Sequence, residues 1–475
     1  MTARPVALLL AALAAGCASA PKDAGFGDVR RTVIEQTRQP VEWDPSAPVR
    51  PPDDAAILPL LDGELTADDA VRIAFANNRD VQATLEELGI ARGDLLAAGT
   101  IRNPLFHAEF RFGGEDANPV EFGLAQSLFD LVQIGGRKRA GQARFEAARV
   151  QVGGAVVRFA AEVRSDYFDL LGARRILARQ ETVMKAQQAA AELARRQHAA
   201  GNISDLDLEN EQSRYEQVKL DHARAQLDEL QARERLLADL GLARRADLDL
   251  PDDFPPAADV DLTPEAAEAQ AVERRMDLRI ARREIQAAER SLGLARTAWL
   301  DDATMGVHHE REPEGKSTTG PEIEVPIPIW NRGAADRVRA RALLRQAQQR
   351  LVAATVEARS EARAALERHR EAKARLDYLR EVVVPRRERI LRLTQLEYNA
   401  MLRGVFQLIG ARQELANAQR EEVLAARDYW VARTEIDLAL LGVGGFSIRR
   451  EGAEQKRLDL FAPPRRQQTK AKEGE

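Results

Sequence analysis

The chain has 475 residues, 44% apolar but only 5% aromatic, with 70 basic and 75 acidic residues and a formal net charge of −5. Intermingled charges in near-equal number leave no basic face for nucleic acid, and the abundance of Ala, Arg, Glu and Gln argues for long solvated helices over compact α/β domains. The single cysteine, Cys17, excludes a disulfide within the chain and any cysteine-built metal centre.

Residues 1–16 read as a secretory signal. Arg4 supplies its positive start, and Val6 to Ala15 form an apolar core too short to span a bilayer. The run Leu13-Ala14-Ala15-Gly16-Cys17 resembles a bacterial lipobox, with its leucine one place early. That resemblance implies cleavage before Cys17 and lipidation of the cysteine, and Ala18 is similar to the residue following the cysteine in lipoproteins sorted to the outer membrane. Residues 17–64 are polar and proline-rich and read as an extended, lipidated arm with no core of its own. Beyond the signal no apolar run is long enough for a transmembrane helix, so any membrane crossing must be made of β-strands.

A helical pattern begins at Leu65. Thr66 followed by Asp69 gives an N-cap, and Val71, Phe75, Leu85, Leu88 and Leu95 form an apolar face up to about Gly99. The period then changes to two. Phe106, Ala108, Phe110 and Phe112 alternate with His107, Glu109 and Arg111; after a loop carrying Gly113, Gly114, Asn118 and Pro119, Val120, Phe122, Leu124 and Leu128 alternate with Glu121, Gly123, Ala125 and Ser127. These predict an amphipathic β-hairpin over about 105–129, of a length suited to a tilted membrane strand or to a hairpin on a soluble core.

From 137 to 200 there is no proline, and one helix of that length would run roughly 96 Å. Val156, Val163, Leu170, Leu177, Met184 and Ala191 recur every seven residues, the seam of a helix packed along neighbouring helices. By itself this stretch suits a spacer as well as a conduit. Gly201 can end it in a left-handed conformation, Ser204 or Asp205 can cap a return helix to about 240, and residues 243–261, with Pro251, Pro255 and Pro256, read as a linker.

The chain then repeats. Leu65-Thr66 recurs as Leu262-Thr263, an offset of 197 that also carries Asp80-Val81 to Asp277-Leu278, Leu95 to Leu292 and Ala98 to Ala295. The first unit spans 65–242 and the second 262–441. In the second, strands are expected over about 303–329; the better one is Glu322 to Ile329, bent by Pro326 and Pro328, and its partner Thr304 to Glu310 is weaker. Gly333 opens a helix over 334–402 with the series Leu344, Leu351, Ala358, Ala365, Ala372, Leu379, Leu393 and Ala400, kinked at Pro385 and ended by Gly404, and a return helix follows to 441. Residues 442–475 form a polar tail. In each unit the first and return helices together match the long helix in length, so stacked end to end they would flank it. The fold class is mainly α with membrane β. Four strands cannot close a barrel, whereas three copies would supply twelve.

These elements resemble the TolC family of outer-membrane efflux proteins, over about 65–441. Ser127-Leu128-Phe129-Asp130 leading to Gly135-Gly136-Arg137 is similar to the family's strand-to-helix junction. The run from Pro326 through Trp330 to Gly333 resembles the junction of the heavy-metal branch typified by CusC and CzcC. Gly201-Asn202-Ile203-Ser204-Asp205-Leu206-Asp207 is similar to the adaptor-docking tip; the second tip departs from it, with Gln407 and Gly410 in place of the usual hydroxyl and acid. The resemblance implies a homotrimeric channel-tunnel without cofactor or catalysis, and the lipobox-like run adds an anchor in outer-membrane lipid at Cys17. Its junctions lie at Phe129, Gly136, Trp330 and Gly333, and its tips, at Gly201, Ser204, Asp205, Asp207, Gly404 and Gln407, meet a periplasmic adaptor and an inner-membrane pump of the resistance-nodulation-division type. Heavy-metal cations are the cargo this branch implies.

Against an enzyme stands the absence of a phosphate loop, a His-Glu-x-x-His motif and a nucleophile elbow. His308 and His309 are adjacent on a strand, face opposite sides and cannot share one ion. His107, His198, His222 and His369 are scattered, so no metal site is expected; whether His308 or His107 lines a lumen is left open. The rival reading is a periplasmic adaptor or a coiled-coil structural lipoprotein.

Overall fold

The computed structural model describes residues 23–46, 48–49, 63–110, 120–242, 248–300, 302–311, 316–330 and 332–445. Cys17, the loop around Gly113 and the tail beyond residue 445 lie outside the described residues.

The organising element is α4, Leu128–Ala199, whose 72 residues span about 108 Å. Near one end it packs on α3 (Arg79–Ala98) and α7 (Met276–Ala295), and towards the other on α5 (Asp205–Asp239) and α10 (Val405–Leu441). Of its seven-residue series, Val156, Val163, Leu170 and Ala191 are buried, and Leu177 and Met184 are half-buried.

The internal duplication is visible residue by residue. Helices α2 (Ala67–Asn77) and α3 recur as α6 (Pro264–Arg274) and α7, each end shifted by 197. The same shift relates β2 (Val120–Ser127) to β4 (Ser317–Glu324). In both units the first helices meet the end of the return helix. The amides of Asn77 and Asn78, both buried, donate to the carbonyls of Leu240, Gly241 and Asp239 at 2.8–3.1 Å. These carbonyls close the last turn of α5, where no intrahelical donor remains. Arg275, which the 197 shift places opposite Asn78, does the same for α10, donating to the Ala439 carbonyl at 3.1 Å while holding Asp277 and Glu361 at 2.6 Å. The helices are therefore joined end to end, and together they flank the long one.

Four expectations need correction. First, the arm is not without a core: α1, Phe26–Thr37, lays Val29 and Val33 against α4 in the main hydrophobic cluster, and Arg164 of α4 donates to the Thr37 carbonyl at 3.0 Å. Val41 is also buried, and the Trp43 indole donates to Glu86 at 3.0 Å. Secondly, the segment read as a linker is packed: Leu248, Leu250 and Phe254 are buried, and the Phe254 ring stacks on Phe168. Thirdly, α4 starts at Leu128, so Gly136 lies inside the helix and not at a junction. Its missing side chain lets α4 approach α7, since a Cβ there would sit 2.7 Å from Leu294 Cδ2. Fourthly, β4 runs Ser317–Glu324 and ends before Pro326, short of the expected Ile329, although as an edge strand it accommodates Pro321; the partner strand β3, Thr304–Arg311, is fully paired.

The second long helix is divided. α8 runs Ala334–Tyr378, Leu379–Val383 forms a π-helical turn, and α9 runs Val384–Asn399. Pro385 lacks the N–H that would bond one turn back, and the widened turn lies directly before it.

Candidate functional site

Two regions at opposite ends of α4 carry the functional geometry. At one end, β1 (Leu105–Phe110), β2, β3 and β4 form a single antiparallel sheet in that order, so β1 and β4 are its edges. The pairing register sorts the side chains. One face collects Phe106, Phe110, Phe122, Leu124, Met305, Val307 and Ile323, all exposed to a degree unusual for such residues, with Phe106 at 68% and Ile323 at 65%. The opposite face carries His107, Glu109, Glu121, Ser127, Thr304, His308, Glu310, Thr318, Glu322 and Glu324. A sheet with one largely apolar and one polar face, and with no described residue packed over the apolar side, has the side-chain pattern of a barrel wall in lipid.

The polar face brings together residues that sequence reading kept apart. His107, Gly123, His308 and Gly320 stand in one cross-strand row, and Glu109, Glu121, Glu310 and Thr318 in the next. Imidazole and carboxylate atoms of His107, Glu109 and Glu121 lie within 4.8 Å of one another, and His308 Nδ1 is 3.3 Å from Glu121. His309 points to the other face, where its ring meets the Thr319 hydroxyl at 2.7 Å. The missed signal was the strand alternation itself, which already placed His107, Glu109 and Glu121 on one side; the long-range β2–β3 pairing that adds His308 was not legible.

Sheet and helix join at Ser127, whose side chain caps α4 by accepting from the Asp130 backbone. The Asp130 carboxylate, buried, meets Arg137 at 3.0 Å and the Arg102 backbone N–H at 3.3 Å, tying the approach to β1 to the first turns of α4. Phe129 lies in that first turn. In the second unit Gly333, at φ 69°, starts α8, and Trp330 beside it is 93% exposed. Asp130 and Arg137, within the junction motif but not singled out from sequence, hold the join.

At the far end are two helical tips with the same backbone. Gly201, at φ 75°, donates to the His198 carbonyl at 2.8 Å and Asn202 to Gln197 at 2.8 Å; Met401, at φ 59°, donates to Tyr398 at 2.9 Å and Leu402 to Glu397 at 2.9 Å. The residue equivalent to Gly201 is thus Met401, not Gly404, because the second long helix ends three residues earlier than its glycine suggested. Gly404 then corresponds to Ser204, and Gln407 to Asp207. At the first tip Ser204 and Asp207 form a reciprocal capping box, with Asp207 N–H donating to the Ser204 hydroxyl oxygen at 3.2 Å and Ser204 N–H to the Asp207 carboxylate at 3.3 Å. The Ser204 hydroxyl donates to the same carboxylate at 2.7 Å, and these bonds hold the Asp207 pKa below the usual carboxylate value. Asp205 pairs with His198 at 2.6 Å. At the second tip Gly404 caps α10 with no side-chain bond. Leu206, Met401 and Leu402 are exposed around the two tips.

A four-stranded membrane-type sheet continued by helical hairpins about 100 Å long defines the class: an outer-membrane channel with a helical tunnel. The profile of the outer membrane efflux protein family matches residues 71–242 and 269–442, one match for each unit, and the chain belongs to that family. Protein CyaE of Bordetella pertussis is 28% identical over 446 residues, covering 86% of this chain and 88% of that protein. The CmeC outer membrane channel of Campylobacter jejuni has the same fold, with a TM-score of 0.66 at 15% identity over 88% of this chain and 93% of its own. CusC, in a structure describing folding and transmembrane channel formation, gives 0.62 at 17% identity over 85% and 99%.

Proposed function

We propose that this chain is the exit duct of a tripartite efflux system, working as a homotrimer that passively exports solutes handed over by an inner-membrane pump through a periplasmic adaptor. One observation carries the reading: a sheet with an exposed apolar face and two open edges sits at one end of hairpins whose paired tips lie about 100 Å away. Open edges aggregate unless they are paired. Pairing β1 of one copy with β4 of the next protects both and, in three copies, closes twelve strands.

The adaptor docks at the tips. Gly201, Ser204, Asp205 and Asp207 supply a rigid, acidic turn, and Met401 and Leu402 beside Gly404 and Gln407 supply apolar anchors. Cys17 carries the lipid that holds the arm to the outer membrane. Transition-metal cations are the proposed cargo and a pump of the resistance-nodulation-division type the proposed partner, on the strength of the Trp330 junction; the folds of CmeC and CusC do not discriminate between cargoes. Loss of zinc and cobalt tolerance on deletion supports that cargo, and raised drug sensitivity with unchanged metal tolerance rejects it.

Cysteine at Ala108 on β1, combined in turn with cysteine at Ser317, Thr319, Pro321 or Ile323 on β4, tests the assembly in membranes. The expected result is intersubunit disulfide at one register, giving dimers and trimers in the outer-membrane fraction. Monomer at every register, or recovery in the soluble or inner-membrane fraction, rejects the duct and favours an adaptor or stalk.

A further inference from the structure

We propose that the polar face of the sheet holds a divalent transition-metal cation between His107, Glu109 and Glu121, with His308 positioning Glu121. Three observations converge. One imidazole nitrogen and one oxygen from each carboxylate lie within 4.8 Å of one another, with His107 Nε2 3.8 Å from Glu109. Ligands about 2.1 Å from a tetrahedral zinc stand about 3.4 Å apart, so small side-chain rotations on this open face close the site.

The register supplies the second observation. Glu109, Glu121 and Glu310 are direct neighbours across three strands, which gathers carboxylate oxygens beside the row of His107 and His308. Oxygen donors so gathered are what a divalent cation needs beside an imidazole. The third is the composition of the row: Gly123, which has no side chain, stands between His107 and His308, and Gly320 lies on the other side of His308. His308 Nδ1 lies 3.3 Å from Glu121 and His308 Nε2 3.9 Å from Glu310, so the imidazole stands between the two carboxylates and is placed to orient Glu121 as an outer group does for a metal-ligating carboxylate.

The donor set is nitrogen and oxygen without sulfur. It suits zinc, cobalt(II) or nickel, and not copper(I), which takes thiolate or thioether ligands. The site is complete within one chain. Its role as a ring of three coordination stations on the exit path rests on the duct reading; binding itself does not.

The test is a cobalt(II) titration of the detergent-extracted full-length protein, followed by visible absorption and competed with zinc, on particles whose assembly state is measured in parallel. The account expects one ion per chain, displaced by zinc, with affinity lowered at least about tenfold in the His107→Ala/Glu121→Gln double variant, which is about 1.4 kcal/mol. The His309→Ala variant, altered on the opposite face, should bind as the parent does. Equal binding by parent and double variant, no binding at millimolar cobalt, or tighter binding of copper(I) at these residues overturns the site. Absence of binding in threefold particles rejects the site and leaves the duct standing, whereas binding by monomers does the reverse.

Discussion

Met401 and Gly201 occupy the same left-handed backbone position, but only one of them is a glycine. A side chain with a Cβ costs roughly 1 kcal/mol there. Met401→Gly should therefore slow amide exchange at the second tip by about the equivalent of 1 kcal/mol, and Gly201→Met should hasten it at the first by a similar amount; opposite signs would show that Met401 is held by contacts outweighing its backbone. The tips should also differ in pH response. The folded-state pKa of Asp207 is depressed by its bonds to Ser204. Its contribution is thus fully present above the unfolded carboxylate value and is lost as pH falls through the folded one. After correction for intrinsic rates, exchange at 204–208 should accelerate below about pH 4, an effect that Asp207→Asn removes. Gln407 carries no charge, so its position contributes no such transition. At the other extreme of burial, Arg275 binds Asp277, Glu361 and the end of α10 with a side chain 6% exposed. Arg275→Ala should destabilise by about 2–3 kcal/mol, below the full cost of breaking a buried pair because both acids keep some water. Lysine, which lacks the forked donor, should restore only part of this in thermal unfolding.

Among the elements, close helix approach is set by α4 glycines that look like breakers. A Cβ on Gly141 would lie 2.8 Å from the Ala98 Cβ of α3. Gly141→Leu should force the helices apart and cost about 1–3 kcal/mol, measurable as a lower melting temperature, whereas Gly93→Ala, with nothing nearby, should be neutral or slightly stabilising. The periodic parts of the elements were legible. Strand alternation sorted Phe106, Phe110, Phe122 and Leu124 from His107, Glu109 and Glu121, and the seven-residue series found Val156, Val163 and Leu170. What escaped had local and tertiary signals in conflict. Gly135-Gly136 read as a helix start because glycine disfavours helices, yet packing against Leu294 favours it. Met401 displaced the second tip from the expected Gly404, because the turn there proceeds without glycine. Residues 26–37 seemed too polar for a core, but few of them, Phe26, Val29 and Val33, needed to be apolar, since α4 supplies the other side. The row containing His107 and His308 depends on pairing between hairpins almost 200 residues apart.

At the scale of the molecule, the four-stranded sheet leaves edges at β1 and β4 that the proposed homotrimer closes. The 197-residue offset gives the chain two equivalent helical hairpins, so in the proposed homotrimer three copies would present six near-equivalent staves around the axis. The polar faces of the sheets then turn inward and the apolar faces outward, consistent with the exposure of Phe106 and Ile323. The most direct test is an image of the detergent-extracted protein by electron cryomicroscopy at low resolution. The account predicts a threefold tube, a short barrel continued by a helical wall about 100 Å long. A monomeric rod, or an assembly in which the sheets do not meet edge to edge, would contradict it.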